Sequence, residues 1–186
     1  MSPPRRLRIF MTADAVGGVW IFASTLARQL TQRNCEVMLV TLGPMPSAAQ
    51  LHALGNVAGL TIETTDLALE WLDPEGLDFA RARQTLTRLA HRFRPDVIHL
   101  NSYREAAIDF GAPVVVTAHS CVQSWWLSCR GELPGEPRWR RYARNVQAGM
   151  NAADDKLPNY GKLLRFGRGH CSHGHQVCEI RTGSTK

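Results

Sequence analysis

Short apolar runs alternate along the chain with longer segments in which apolar positions recur every three or four residues. The apolar runs predict five β-strands, at 7–12, 36–41, 60–64, 96–100 and 113–118. The periodic segments predict helices between or after them, at 19–33, 46–54, 77–93, 102–110 and 139–153. Strands that are apolar along their length and separated by helices are typical of a parallel sheet. We therefore predict an α/β fold, a Rossmann-like parallel sheet with helices on both faces.

The size and composition of the chain agree with one globular domain. It has 186 residues, of which 44% are apolar and 20% charged, which is enough for a single core. No apolar run approaches the roughly 20 residues of a membrane-spanning helix, and the N-terminal run is too short for a secretory signal. The five cysteines have no framework spacing, which favours a reducing compartment. We expect a cytoplasmic protein, and nothing in the sequence supports peripheral membrane contact.

The net charge of +6 is unevenly distributed. Residues 1–154 hold 16 Arg, no Lys and 14 acidic residues, whereas residues 155–186 hold six basic and two acidic residues. Because the longer segment is nearly balanced, we expect no nucleic-acid binding. The abrupt appearance of Lys predicts a boundary between a domain at 1–154 and an atypical basic tail at 155–186. We expect the tail to be disordered or translated from a shifted reading frame.

The tail also contains closely spaced Cys and His residues, namely His170, Cys171, His173, His175 and Cys178. Such side chains can bind zinc, and a zinc-dependent regulator is one alternative function. The paired C-x-x-C spacing of common structural zinc sites is absent, however. We therefore predict no metal site.

Ligands of an open α/β sheet bind beyond the carboxyl ends of its strands, so the loops after the first, fourth and fifth strands hold the candidate site residues. Gly17 and Gly18 follow the first strand and would let the backbone approach an anion or sugar hydroxyls; a tight turn without a ligand is the alternative. His119 and Ser120 follow the fifth strand, where an imidazole can hydrogen-bond a substrate hydroxyl. A packed or solvated histidine is the alternative there.

Further candidates are polar or aromatic. Asn101 and Ser102 follow the fourth strand and can contact a ligand, although Ser102 alone would more simply cap the next helix. Trp125 and Trp126 are adjacent, and adjacent indoles on a helix cannot both face the core. One of them is therefore expected at the surface, either as a stacking platform or as a contact for a partner domain.

The order and spacing of several segments resemble a known family. These are residues 8–12, the Gly17-Gly18-Val19-Trp20 loop, Glu36–Thr41, Pro95–Asn101 and Pro113–Ser120. Over about residues 5–154 they resemble the N-terminal domain of glycosyltransferases of the GT-B fold, family 4 type. The resemblance implies two facing Rossmann-like domains, of which the N-terminal one mostly binds the acceptor. The C-terminal one would bind the nucleotide sugar and carry a Glu-x7-Glu signature.

The resemblance also implies roles for individual residues. His119 matches a histidine that contacts the donor sugar, and Gly17 and Gly18 would line the cleft. Two departures stand out: no Glu-x7-Glu pair occurs in a suitable context, and Asp155–Pro158 replaces an expected apolar strand. We therefore expect a truncated chain.

The expected function is the acceptor-side half of a retaining glycosyltransferase. The intact enzyme would transfer a sugar from a nucleotide-sugar donor to an unidentified acceptor. We expect it to need no cofactor, and we expect this chain to be inactive without the missing C-terminal domain. The alternative is a non-enzymatic Rossmann-like module that pairs with a separate catalytic subunit.

Overall fold

The computed structural model describes residues 5–158, which form a single parallel β-sheet. The strands are β1 (Arg8–Asp14), β2 (Glu36–Leu42), β3 (Leu60–Thr64), β4 (Val97–Leu100), β5 (Val114–Ala118) and β6 (Asp155–Pro158). Their order in the sheet is β3-β2-β1-β4-β5-β6, and every neighbouring pair is parallel. This is the Rossmann order, in which the direction of winding reverses between β1 and β4. The carboxyl ends of these two strands are therefore the expected position of a ligand.

Helices connect the strands. They are α1 (Gly17–Gln32), α2 (Ala48–Leu54), α3 (Phe79–Phe93), α4 (Val122–Arg130) and α5 (Pro137–Ala152), with a 3-10 helix at Arg104–Ala107. Local sequence explains several ends. Ser47 and Gln50 form a reciprocal capping box at the start of α2, Pro137 opens α5, and Arg94 ends α3 in a left-handed conformation just before Pro95.

Each face of the sheet is covered by helix, as the sequence predicts. Alternate residues of β1 divide between two buried clusters: Ile9 and Met11 pack with α1, whereas Phe10 packs with α3 and α5. The larger cluster lies on the α3–α5 face and includes Leu86 of α3 and Tyr142 of α5. The α/β fold class and the two-sided helical cover are thus confirmed.

The sequence prediction missed the sixth strand. Asp155–Pro158 does not replace a strand but forms β6, which pairs with β5 from Val115↔Asp155 to Ala118↔Pro158. The backbone N–H of Val114 also donates to the Asp154 carboxylate at 2.8 Å, next to the start of this pairing. An edge strand depends on main-chain hydrogen bonds, so its polar sequence gave no pattern to detect. The sheet therefore extends past the expected boundary at residue 154.

The segment predicted as a helix at 102–110 is also different. It contains only the 3-10 helix, because Ile108 adopts an extended conformation and ends the turn. Within residues 5–158, no helix is long and apolar enough to span a bilayer. The Cys/His cluster at 170–178 and the predicted tail beyond residue 158 lie outside the described residues.

Candidate functional site

A cleft of about 500 Å³ lies beyond the carboxyl ends of β1, β4 and β5. This is the position at which the winding of the sheet reverses. Polar and aromatic side chains from several loops and from α4 and α5 line it: Asp14, Glu70, Trp71, Asn101, Ser102, Tyr103, His119, Ser120, Trp125, Trp126, Trp139 and Tyr142, with Val19, Leu69, Cys121 and Val122. The structure thus brings four of the six predicted site residues together, namely Asn101, Ser102, His119 and Ser120.

A chain of hydrogen bonds joins the ends of the three strands. The Asn101 amide nitrogen donates to the Thr12 carbonyl at 2.7 Å, so its Oδ1 faces the other way and accepts. That oxygen lies 2.8 Å from His119 Nε2. Because an amide oxygen only accepts, Nε2 is the protonated nitrogen of the His119 ring and donates this hydrogen bond. The backbone N–H of Asn101 also donates to Thr12 Oγ1 at 3.2 Å. Asn101 therefore fixes the orientation of the His119 ring.

A second histidine lies behind His119 and does not line the cleft. His99 is buried in β4, and its Nε2 is 2.6 Å from Thr117 Oγ1. Burial, and then the charge of a protonated His119, lower the pKa of His99 to about 4. His99 is thus a neutral packing residue at pH 7. The Phe22 ring meets His119 edge-on, with ring centroids 5.4 Å apart, and completes this packing.

Gly17 and Gly18 lie in the first turn of α1, beside the cleft. Both are exposed and neither lines it, although the next residue, Val19, does. Gly17 has a φ of +62°, which favours glycine. Asp14, at the end of β1, does line the cleft; burial raises the pKa of its carboxyl, and the hydrogen bond from Val16 N–H opposes this.

Ser102 is buried, and its hydroxyl has no hydrogen-bond partner within residues 5–158. The expectation that it caps a helix is wrong, because the 3-10 helix begins after Tyr103 and has no side-chain cap. Ser120 is exposed at the rim of the cleft. An unpaired buried hydroxyl is unfavourable unless water or a ligand satisfies it.

Tryptophans form much of the cleft wall. Trp125 and Trp126 both contribute from α4, and Trp125 is 49% exposed, in agreement with the expectation that one of the pair is at the surface. Trp139 from α5 and Trp71 from the loop after β3 complete the set. The Trp139 indole meets Tyr142 edge-on, with centroids 5.9 Å apart. Trp71 and Trp139 were not predicted as site residues, because they lie far apart along the chain.

Glu70 is a buried carboxyl that lines the cleft and was also missed. It accepts hydrogen bonds from the backbone N–H groups of Tyr103 at 3.2 Å and Arg104 at 2.8 Å. Burial, and then the nearby carboxylate of Glu105, raises the pKa of Glu70 to about 8. Its side chain is therefore mostly protonated at pH 7. Glu70 lies in an irregular loop, where no sequence pattern marks it.

We expect Glu70→Gln to stabilise the domain at high pH. The folded state holds the Glu70 proton up to a pKa of about 8, whereas the unfolded chain releases it near 4.5, so stability falls as pH rises between these values. Glutamine keeps an oxygen for the two N–H donors and removes this dependence. At pH 8 the variant should exceed the native chain by roughly 4 kcal/mol in free energy of unfolding, measured by urea denaturation.

The comparison at pH 5 is the control for that prediction, because Glu70 is protonated in the folded state and only partly ionised in the unfolded chain. The two proteins should then differ by about 1 kcal/mol or less. An equal advantage for Glu70→Gln at pH 5 and pH 8 would contradict the pKa assigned to Glu70.

The charge of the cleft restricts its ligands. Among its lining residues within 5–158 there is no Lys or Arg, while Asp14 and Glu70 are acidic. The first backbone N–H groups near α4 are also engaged, since Cys121 N–H donates to Ser124 Oγ at 3.0 Å and Val122 N–H to the Tyr142 hydroxyl at 3.4 Å. In the same described range, no group of three His, Cys, Asp or Glu side chains is arranged to hold a metal. These walls suit an uncharged ligand.

Asp14 is the one missed residue that the sequence could have identified. It directly ends the first strand, so the rule that selected His119 and Asn101 applies to it equally.

Comparisons with known proteins agree with this architecture. Among solved structures, UGT2 of Phytolacca americana superposes with a TM-score of 0.56 at 15% identity, over 85% of this chain and 48% of that one. LpCGTa superposes with a TM-score of 0.57 at 16% identity, over 83% of this chain and 46% of that one. A UDP-glucosyltransferase from Polygonum tinctorium superposes with a TM-score of 0.56 at 14% identity, over 84% of this chain and 46% of that one. At such identities the likeness shows the fold alone, which is one half of the GT-B fold.

The chain thus spans about half the length of each of these glycosyltransferases. No curated protein matches its sequence. The family comparison is decisive, because the Glycosyltransferase Family 4 profile matches residues 16–155. That range contains the His119–Asn101 pair and most of the sheet. With its Rossmann order and a cleft at the ends of β1, β4 and β5, the chain belongs to Glycosyltransferase Family 4.

Proposed function

We propose that this chain is the acceptor-side half of a retaining glycosyltransferase, which transfers a sugar from a nucleotide-sugar donor to an acceptor hydroxyl. The observation that carries the proposal is the cleft itself. It lies at the reversal of the sheet and contains the His119–Asn101 pair, yet it offers no cationic side chain among the described lining residues. Such a cleft suits an acceptor better than the diphosphate of a donor.

The donor class is supported by the structural neighbours. UGT2 was solved with UDP-2-fluoro-glucose and pterostilbene, and LpCGTa with UDP. The family resemblance places the nucleotide on a second Rossmann-like domain with a Glu-x7-Glu signature. In our proposal that domain, in another segment or another subunit, provides the basic groups for the leaving phosphate. Stabilising this developing charge is the main electrostatic requirement of the reaction.

In this proposal His119 orients the transferred sugar. Asn101 accepts from its Nε2–H, and the edge-on contact with Phe22 restricts the ring further. A fixed imidazole beside the cleft can hydrogen-bond a sugar hydroxyl as the anomeric carbon gains positive character. Asn101 contributes indirectly, because its side-chain amide links the His119 ring to the Thr12 carbonyl. Without that amide the orientation of the ring is no longer fixed.

Transfer assays test the proposal. The purified chain, incubated with UDP-, GDP- and ADP-sugars and candidate acceptors that carry a hydroxyl, should form no glycosylated acceptor and release no nucleoside diphosphate above a control without protein. Adding or fusing the donor-binding domain of a family member should restore transfer, and His119→Ala should then lower kcat about 100-fold or more. Thr25→Ala, on the exposed side of α1, is the matched control and should have no effect. Robust turnover by the chain alone would contradict the proposal.

A further inference from the structure

The walls of the cleft are unusually rich in indoles. Four of the five tryptophans of the chain, Trp71, Trp125, Trp126 and Trp139, line it. Trp71 and Trp125 are 44% and 49% exposed, although a large aromatic side chain is normally well buried. They come from the loop after β3 and from α4, so two separate elements bring exposed indoles to one cleft. Exposed indoles at a concave site favour stacking of a flat ring.

Two polar atoms of residues that line this cleft lack a partner within the described range. The buried Ser102 Oγ and Trp139 Nε1 form no hydrogen bond there, and both residues line the cleft. Buried polar groups are nearly always satisfied in folded proteins, by protein, water or ligand. A ligand hydroxyl both donates and accepts, so it can satisfy the Ser102 hydroxyl or the Trp139 N–H.

The charge of the cleft argues against anionic ligands. Among residues 5–158, the residues that line the cleft include no Lys or Arg but do include the acidic residues Asp14 and Glu70. Burial raises the pKa of Glu70 to about 8, so this side chain is itself mostly uncharged at pH 7. A phosphate or sulfonate would therefore enter the cleft without a compensating cation.

Carbohydrates fit this lining less well than aromatic alcohols. A sugar ring presents several hydroxyls, each of which needs a hydrogen-bond partner when it leaves water. The cleft provides few polar groups relative to its aromatic walls. A flat ring system with one hydroxyl needs few partners and gains from stacking.

We propose that the acceptor recognised by this cleft is an uncharged aromatic alcohol with one or two fused rings, stacked on the indoles and hydrogen-bonded through its hydroxyl at Ser102. This inference rests on the proposed function for the role of the ligand as acceptor. The binding preference itself can be measured without a donor or turnover.

The test is an NMR titration of the full chain with 2-naphthol, followed through the five indole N–H signals. The signals of Trp71, Trp125, Trp126 and Trp139 should shift and saturate. Trp20, buried on α1 in the other core, is the internal reference and should not move. Methyl β-D-glucopyranoside and 2-naphthalenesulfonate should each bind at least tenfold more weakly. Shifts that include Trp20, do not saturate or are absent would overturn the inference, as would tighter binding of the glucoside or the sulfonate.

Two variants locate the site. Ser102→Ala should weaken 2-naphthol binding about three- to tenfold but leave naphthalene binding unchanged, because naphthalene has no hydroxyl. Trp125→Ala should weaken both ligands, whereas Leu133→Ala, exposed and outside the cleft, should weaken neither. Equal effects of Ser102→Ala on the two ligands would overturn the assigned hydrogen bond.

The outcome is separable from that of the transfer assay. If the chain binds 2-naphthol as described but fails the transfer test with a donor domain, the proposed function fails and the binding preference stands. If transfer succeeds only with carbohydrate acceptors, the proposed function stands and this inference is wrong.

Discussion

Replacing Gly149 by alanine is expected to destabilise the domain by about 3 kcal/mol. Gly149 is buried in α5 where the helix crosses the 3-10 segment, and a Cβ there would overlap the Tyr103 carbonyl oxygen and lie 2.6 Å from its carbonyl carbon. Alanine is the better helix former by about 1 kcal/mol. A backbone overlap outweighs that gain, because neither helix nor turn can move without losing packing. Urea denaturation should show a lower midpoint with an unchanged slope.

Gly135→Ala is the matched control for Gly149→Ala. A Cβ at Gly135 meets no atom within 4 Å, and the φ of Gly135 lies outside the left-handed region, so the free energy of unfolding should change by less than about 0.5 kcal/mol. The close approach at Gly149 also has a functional consequence. It positions α5, which carries Trp139 and Tyr142, against Tyr103 of the same cleft. Unaltered stability of Gly149→Ala would show that α5 and the 3-10 helix do not pack as described.

Arg104→Met is expected to lower the free energy of unfolding by about 3–5 kcal/mol. Arg104 is 3% exposed and pairs with Asp73 at 2.8 Å and Glu105 at 2.9 Å. Burial alone would lower its pKa, but the two carboxylates outweigh this and raise it. Without the guanidinium, Glu105 is left buried without its ion-pair partner, and Glu70 nearby adds a third carboxyl. Removing one member of a buried ion pair is far more costly than replacing the whole pair.

The same measurement on Arg92→Ala provides the comparison. Arg92 pairs with Glu63 on the surface, where its side chain is 55% exposed. Arg92→Ala should therefore lower the free energy of unfolding by at most about 1 kcal/mol. Similar losses for Arg104→Met and Arg92→Ala would contradict the buried cluster. Because Arg104 also bonds the carbonyl oxygens of Ala68 and Asp73, Arg104→Met should additionally loosen the loop that carries Trp71.

Most of the sheet was predictable because its inner strands are apolar along their whole length. The limits of β3 at Leu60–Thr64 agree with the sequence prediction, those of β2, β4 and β5 differ by one residue at one end, and β1 begins one residue and ends two residues later than predicted. Strand β6 was not predictable from its polar sequence, since its backbone pairing with β5 leaves no periodic signal. The sequence predicts a helix at 102–110 rather than the shorter 3-10 helix, because apolar spacing does not show where Ile108 becomes extended.

The site was predictable only where topology assigns it. Asn101 and His119 end neighbouring strands, so the parallel sheet brings them together, 2.8 Å apart. Glu70 and Trp139 reach the cleft from an irregular loop and from a helix more than 60 residues later. Their convergence depends on how α5 and the 65–78 loop pack, which no local pattern encodes. Gly17 and Gly18 illustrate the reverse case, since a conspicuous motif lies beside the cleft rather than in its wall.

Calorimetric titration of the chain with UDP and GDP tests most directly the claim that it provides the acceptor side. The cleft has no described cationic lining residue, so a diphosphate should find no charge-assisted hydrogen bonds from side chains. We predict no saturable heat up to about 1 mM nucleotide, which limits the binding free energy to roughly −4 kcal/mol. Saturable binding in the low micromolar range, lost in His119→Ala, would place the donor site in this chain and contradict the account.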